Sequence, residues 1–308
     1  MRTVKQYFYA RKVPDFISKI YFNKQNIERR KLLSTLLEEN EDLMAGLKQE
    51  YREHWEGRIE QVLQDPDNED IPRSKNAGKL LNGKLIMHND LKIDPLSYYS
   101  FPVLKMLIKN KGVHEPQEEK IFQEVLRSLP QTSTPKTMLE LGAYWSFYSM
   151  WFKQIFPNAK AYMAEPNREN LLYGKANFKI NKFEGTFIHT KIGKEIVPQR
   201  NMTTVDAICT RNNIQFLDIL HSDIQGFELD MLHGSHRMLS EKKVGYVFIS
   251  THSDELHYSC REVLQEKYGY LQVASADLKE SYSWDGILVM KLPSYQGIEK
   301  VKISKREI

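Results

Sequence analysis

The chain reads as an α/β protein in which a mostly parallel sheet carries helices on both faces and a mainly helical region precedes it. Three observations lead there. Up to about residue 112, apolar residues recur at helical spacing. After the loop Pro130 to Pro135, short apolar runs alternate with helical segments, the pattern of a parallel sheet. The composition is that of a globular protein, with 308 residues, 41% hydrophobic and 27% charged, and a chain this long buries a core without staples.

Each element follows from local signals. From Ile27 to Ile59 a stripe of Leu33, Leu36, Leu37, Leu43, Leu47, Tyr51 and Trp55 marks helix, which Asp65-Pro66 stops. Asn82-Gly83 between two short apolar runs marks a hairpin turn. Phe101-Pro102 opens a short helix that ends near Gly112. Pro116 opens another at its first helical position, with Ile121, Phe122, Val125, Leu126 and Leu129 on one face. Then come a strand Thr137–Leu141, a helix Phe147–Phe156, a strand Ala159–Ala164, and a helix capped by Asn167 that runs to about Asn181. A strand Thr186–His189, a strand Asp218–Asp223, a helix Phe227–Leu239, a strand Val244–Ser250 and a helix Glu255–Tyr268 follow. Tyr270–Ala274 and Gly286–Met290 close the sheet as a pair. The expected division is 1–112 for the helical region, a lid or a dimerisation element, and 113–308 for the sheet domain.

Charge and cysteine content exclude several classes. The net charge is +4, and residues 1–30 hold eight Lys/Arg against two acids, so the rest of the chain is slightly acidic. Such a body does not suit a nucleic-acid binder, which must offset many phosphates. The basic start, interleaved with aromatics such as Tyr7, Phe8 and Tyr9, reads as a solvated helix face rather than a polyanion-binding arm. Cys209 and Cys260 form no disulfide framework and no CxxC knuckle. With no long apolar run and no signal-peptide h-region, the expected location is cytoplasmic.

Ligands of open α/β sheets bind beyond the carboxyl ends of the strands, so the residues there carry the chemistry. Glu140-Leu141-Gly142-Ala143-Tyr144 follows the first strand, and Gly142 is read as allowing a ligand close to the turn. Glu165 ends the next strand, placed to accept the hydroxyls of a ribose. Asp223-Ile224-Gln225-Gly226-Phe227-Glu228 and Thr251-His252-Ser253-Asp254 end two more. GxGxxG and GKS/T are absent, so this is no phosphate loop. One glycine, flanking acids and no base suit a nucleoside without phosphates, such as S-adenosylmethionine.

The segments GVHEPQEEKIFQEVL, MLELGAYWSFYSMWF, AEPNRENLLYGKANFKIN, TTVDAI, ILHSDIQGFELDMLHGS and WDGILVM resemble the FkbM family of S-adenosylmethionine-dependent methyltransferases over about residues 112–290. The resemblance implies the class I methyltransferase (Rossmann-like) fold, a seven-stranded sheet whose last pair is antiparallel, and methylation of hydroxyls on sugars, glycans or natural products. It implies Glu140, Gly142 and Tyr144 around the methionine part, Glu165 at the ribose, and further matches at Asn181 and Asp206. The family usually has Asn in place of Tyr144 and Gly in place of Ser146, and His221-Ser222 replaces Lys-Ile, so the acceptor pocket is expected to be atypical.

A hydroxyl acceptor needs a base or a metal. Asp223 and His252, side by side on neighbouring strands, are the expected catalytic pair. A divalent ion on Asp223, His252 and Asp254 is the less favoured arrangement, because the set has no recognised ligand spacing. His221 reads as packing, His233 and His236 as helix surface, and His114 and Glu115 as the mouth of the site. The expected partner is a small-molecule or glycan acceptor, with a homodimer through the N-terminal helices as the alternative use of that region. The competing functions are an RNA or protein methyltransferase docking through the basic N-terminus, and a non-catalytic scaffold that binds S-adenosylmethionine.

Overall fold

A computed structural model describes residues 15–39, 42–98, 100–131 and 133–307. Residues 1–14 of the basic N-terminal stretch singled out above lie outside them. The helical region begins with α1 (Asp15–Glu38) and α2 (Gln49–Leu63). The sequence reads these as one helix because the apolar period runs on. The break comes at Asp42, whose carboxylate accepts the Met44 N–H (3.1 Å) and pairs with Arg52 (2.5 Å) and Lys105 (2.7 Å). Asp65 then caps a 3₁₀ turn, Pro66–Asp70.

Strands β1 (Leu80–Leu81), β2 (Lys84–Ile86) and β3 (Lys92–Ile93) make a small antiparallel sheet. Its first turn is Asn82-Gly83, at φ +51° and +68°, the backbone that a two-residue hairpin asks for. Helices α3 (Phe101–Lys109) and α4 (Pro116–Ser128) lead into the main sheet.

The remaining elements alternate as expected through β4 (Thr137–Leu141), α5 (Phe147–Ile155), β5 (Lys160–Glu165), α6 (Arg168–Ile180) and β6 (Thr186–His189); between β6 and the next long strand the structure adds a short pair, β7 (Lys191–Ile192) and β8 (Met202–Thr203), and the helix α7 (Val205–Arg211), none of which the sequence reading marks. They continue with β9 (Leu217–Ser222), α8 (Glu228–His233), α9 (His236–Ser240), β10 (Val244–Thr251), α10 (Asp254–Glu262), β11 (Leu271–Ala276) and β12 (Gly286–Lys291). The sequence reads α8 and α9 as one helix. The second starts afresh because the Asp206 carboxylate accepts the N–H groups of Arg237 (2.7 Å) and Met238 (3.0 Å).

The seven-stranded order is β11-β12-β10-β9-β4-β5-β6, parallel except for β12, which runs antiparallel to β10 and β11. This is the class I methyltransferase arrangement, with the order reversing between β4 and β9. Alternate strand residues enter two cores. Met138, Ile219, Tyr246, Phe248 and Val289 face α4 and α5, while Leu139, Leu220, Val247, Ile249 and Leu288 face α7 to α10. The first core also takes in Leu33, Leu36, Leu85, Met87, Leu104 and Leu107, so the N-terminal region and the sheet share one apolar cluster. No helix among the described residues is long and apolar enough to cross a membrane. Cys209 and Cys260 are both buried and free.

Candidate active site

A cleft of about 240 Å³ opens at the carboxyl ends of β4, β5 and β9, at the reversal of strand order, where ligands of open sheets bind. Glu140, Gly142, Tyr144, Glu165 and Asp223 all line it, and so do His114, Glu115 and Tyr98 from the preceding region. Among the described residues, Lys191 is the one lysine on this lining and no arginine is on it.

Gly142 lines the cleft as expected, and the backbone makes its own demand for glycine there. It sits at φ +72°, and a Cβ there would lie 1.7 Å from the Asp223 carbonyl oxygen. The Asp223 N–H in turn donates to the Leu141 carbonyl (2.9 Å). The glycine lets β4 and β9 close on each other at the floor of the cleft. Farther along, Tyr144 and Ser146 stand at φ +38° and +63°. These are the positions where the resembled family has Asn and Gly, the residues that tolerate left-handed backbone.

Glu165 ends β5 and holds this loop. Its Oε2 accepts the Tyr144 N–H (3.1 Å), and its Oε1 accepts the Asn167 N–H (2.7 Å) and Asn170 Nδ2 (3.4 Å). Burial raises its pKa above the usual carboxylate value. Glu140 is buried at the end of β4, where the Ser149 N–H donates to it (3.1 Å), and burial pushes its pKa up to about 7.

Helix α4 brings charges that sequence reasoning missed. Glu118 and Glu119 are buried. His221, read above as packing, lines the cleft with its Nε2 2.6 Å from Glu118 Oε1 and its ring 4.3 Å from that of Tyr148. His114 lies between Glu115 (3.1 Å) and Glu119 (2.5 Å), and His88 pairs with Glu119 (3.0 Å). Burial opposes charge on His114, but the two glutamates outweigh it and push its pKa up to about 10. Glu119 is held well below the ordinary range, because His114 and His88 outweigh its burial. The signal was present: Glu118 is three and four residues before Ile121 and Phe122, on the apolar stripe of its helix.

His252 follows β10 beside Asp223, as expected. Its Nδ1 lies 2.8 Å from Glu228 Oε1, and its Nε2 lies 3.3 Å from Asp223 Oδ1 and 3.4 Å from Asp285 Oδ1. Burial works against its charge, but its bonds to Asp223 and Glu228 prevail and push its pKa up to about 10. Burial pushes Asp285 up to about 7. Asp254 is turned away and accepts the Leu278 N–H (3.2 Å). The third acid at this cluster is therefore Asp285, not Asp254. β12 is antiparallel, so its start lies at the same edge as the carboxyl ends of its neighbours, and the pairing of Thr251 with Gly286 sets Asp285 opposite His252.

Two expected cofactor residues lie off the cleft lining. Asn181 clamps β3: its Nδ2 donates to the Lys92 carbonyl (2.7 Å) and its Oδ1 accepts the Lys92 N–H (2.9 Å). Asp206 caps α9, as described above. Both carry structural bonds that fully explain an amide and a carboxylate at those positions. His236 bonds Tyr268 (3.0 Å), away from the cleft.

The family model described as the methyltransferase FkbM domain matches residues 115–271. Among solved structures, the chain is similar to the METTL16 MTase domain, at 14% identity over 57% of this chain and 68% of that one, with a TM-score of 0.43. It is similar to TrmK of M. capricolum in complex with S-adenosyl-homocysteine, at 12% identity over 57% and 69%, TM-score 0.38. It is also similar to a precorrin-6y C5,15-methyltransferase from Geobacter metallireducens GS-15, at 15% identity over 56% and 87%, TM-score 0.38. No curated protein matches the chain.

Proposed function

The chain belongs to the methyltransferase FkbM domain family, and from that premise we propose that it is an S-adenosylmethionine-dependent O-methyltransferase acting on a hydroxyl of a sugar, glycan or natural product. The donor set of the cleft fits such a cofactor. Acids stand at two adjacent strand ends, Tyr98, Tyr144, Trp145 and Tyr148 supply aromatic walls, and among the described residues no arginine on the lining invites a phosphate. Glu165 would hold the ribose, while Glu140, Gly142 and Tyr144 would line the methionine part. When bound, the cofactor supplies an electrophilic methyl group on a sulfonium. Glu140 and Asp223 favour that positive charge, and the Tyr98 and His114 side of the cleft keeps water from it.

The observation that carries this reading is Asp223, which lines the same cleft as Glu140 and Glu165 and is backed by His252. Both nitrogens of His252 are engaged with carboxylates, which leaves Asp223 to take the proton of the acceptor hydroxyl. The N-terminal region closes the acceptor side through Tyr98, as a lid would. Neither Asn181 nor Asp206 has a part in this reading.

The test is transfer of a labelled methyl group from S-adenosylmethionine to a panel of glycosides and polyketide alcohols, using the full chain. Asp223→Asn should keep binding of S-adenosylhomocysteine, which has no sulfonium charge for Asp223 to favour, and lose transfer. Label that appears instead in ribonuclease-sensitive or protease-sensitive material would replace the hydroxyl acceptor by RNA or protein. Cofactor binding with no transfer to any acceptor would favour a scaffold.

A further inference from the structure

We propose that Asp223, His252 and Asp285 form a divalent-cation site of the Mg²⁺ or Mn²⁺ class at the rim of the cleft. One ligand atom from each of the three lies within 4.8 Å of the other two. They arrive from three different places, the ends of β9 and β10 and the start of β12, so the convergence is a property of the sheet and not of one loop. The donor set is two carboxylates and one imidazole, rich in hard oxygen, which suits Mg²⁺ and Mn²⁺ better than the softer metals.

The surroundings of the imidazole point to the same occupant. Glu228 is fully buried at the start of α8 and lies 2.8 Å from Nδ1 of His252. The Gly226 N–H donates to the same Glu228 oxygen (2.9 Å) and fixes it. A buried carboxylate behind one ring nitrogen turns the other toward a metal and sets its tautomer, as is common among metal-binding histidines. That other nitrogen, Nε2, faces Asp223 and Asp285 at 3.3 and 3.4 Å. The Gln225 amide nitrogen lies 2.7 Å from Nε2 and 3.2 Å from Asp223 Oδ1. A donor thus already stands between His252 and Asp223, two of the three groups, and a cation meets the same demand with more charge.

Charge balance agrees. Asp223, Asp285 and Glu228 surround a single imidazole, and among the described residues no lysine or arginine forms an ion pair with any of the three. A divalent ion bound to the neutral imidazole would nearly cancel them. Its use, as distinct from its presence, rests on the methyl-transfer reading: an ion here would bind the acceptor hydroxyl and lower its pKa, the task given above to Asp223 alone.

Manganese is the probe. The full chain, without cofactor or acceptor, is titrated with Mn²⁺ and followed by the loss of the free-ion electron paramagnetic resonance signal. One ion should bind per chain, and its spin-echo modulation should show a single imidazole nitrogen. Asp285→Asn and Asp223→Asn should each weaken binding at least tenfold, and Glu228→Gln, acting only through His252, by about 10–100-fold. His252→Ala should abolish the nitrogen modulation. No binding at millimolar Mn²⁺, or a bound ion with no nitrogen coupling in the unaltered chain, overturns the site without reference to any variant. Because cofactor and acceptor are absent, failure here leaves the methyl-transfer reading standing, and failure of transfer leaves the site standing.

Discussion

Glu165→Gln isolates the proposed ribose contact, whose size follows from the bonds that Glu165 already makes. A carboxylate offers about four lone-pair sites. Three are already used on the protein, by the Tyr144 N–H, the Asn167 N–H and Asn170 Nδ2. One remains for a ribose hydroxyl, and one charge-assisted bond is worth about 1.5–3 kcal/mol. The variant should therefore bind S-adenosylhomocysteine about 10–150-fold more weakly. The substitution has a second consequence. Both oxygens accept N–H donors, so whichever end becomes an amide nitrogen meets a donor, and stability should fall by about 1–3 kcal/mol. Calorimetry below the melting temperature of the variant separates the two effects. A further control compares adenosine with 2′,3′-dideoxyadenosine: the unaltered chain should prefer adenosine, and Glu165→Gln should not. A variant that folds, loses stability as stated and keeps full affinity with an unchanged ribose preference would refute the assignment of Glu165.

Burial holds the Glu140 pKa at about 7 against 4.5 in an unfolded chain. The native state thus keeps a proton that the unfolded state releases, and the contribution of Glu140 to stability declines as pH rises from about 4.5 to about 7, then levels. Urea midpoints at pH 5 and pH 8 should fall more steeply with pH for the unaltered chain than for Glu140→Gln; equal pH dependence would show that Glu140 is not buried as described. Gly142→Ala puts a Cβ 1.7 Å from a backbone oxygen at φ +72°. With no flexible side chain to yield, it should cost more than the about 1–2 kcal/mol of left-handed strain alone, read as a lowered urea midpoint. Ser146→Gly should do the reverse: at φ +63° and with a buried hydroxyl that has no hydrogen-bond partner, it should leave the melting temperature unchanged or raise it by up to about 1 kcal/mol equivalent, and a clear loss would mean the Ser146 hydroxyl has a role.

Much of the sheet was legible because its strands are short apolar runs between strong punctuation. Thr137–Leu141 and Thr186–His189 are found as read, and Asn167 caps α6 by accepting the N–H groups of Glu169 and Asn170. The two helix breaks were not legible. Asp42 and Asp206 make them through side-chain bonds to distant residues, which no local period reports. That Glu140, Glu165 and Asp223 line the cleft, with His252 beside Asp223, was legible from one topological rule, that residues at the carboxyl ends of parallel strands border such a cleft. Asp285 falls outside that rule because antiparallel β12 presents its start, not its end, at that edge. At Gly142 the close approach of the Asp223 backbone is a second demand that its local sequence does not report.

On the proposed reading, a nucleoside cofactor lies in the acidic cleft over β4, β5 and β9, with its reactive end toward Asp223. A crystal structure of the chain with S-adenosylhomocysteine would locate it. A ribose hydroxyl should lie within hydrogen-bond distance of Glu165, the amino-acid part beside Glu140 and Tyr144, and the sulfur facing the space bounded by Asp223 and His114. A ligand bound outside this cleft, or bound in it with the ribose away from Glu165 and the sulfur away from Asp223, would contradict it.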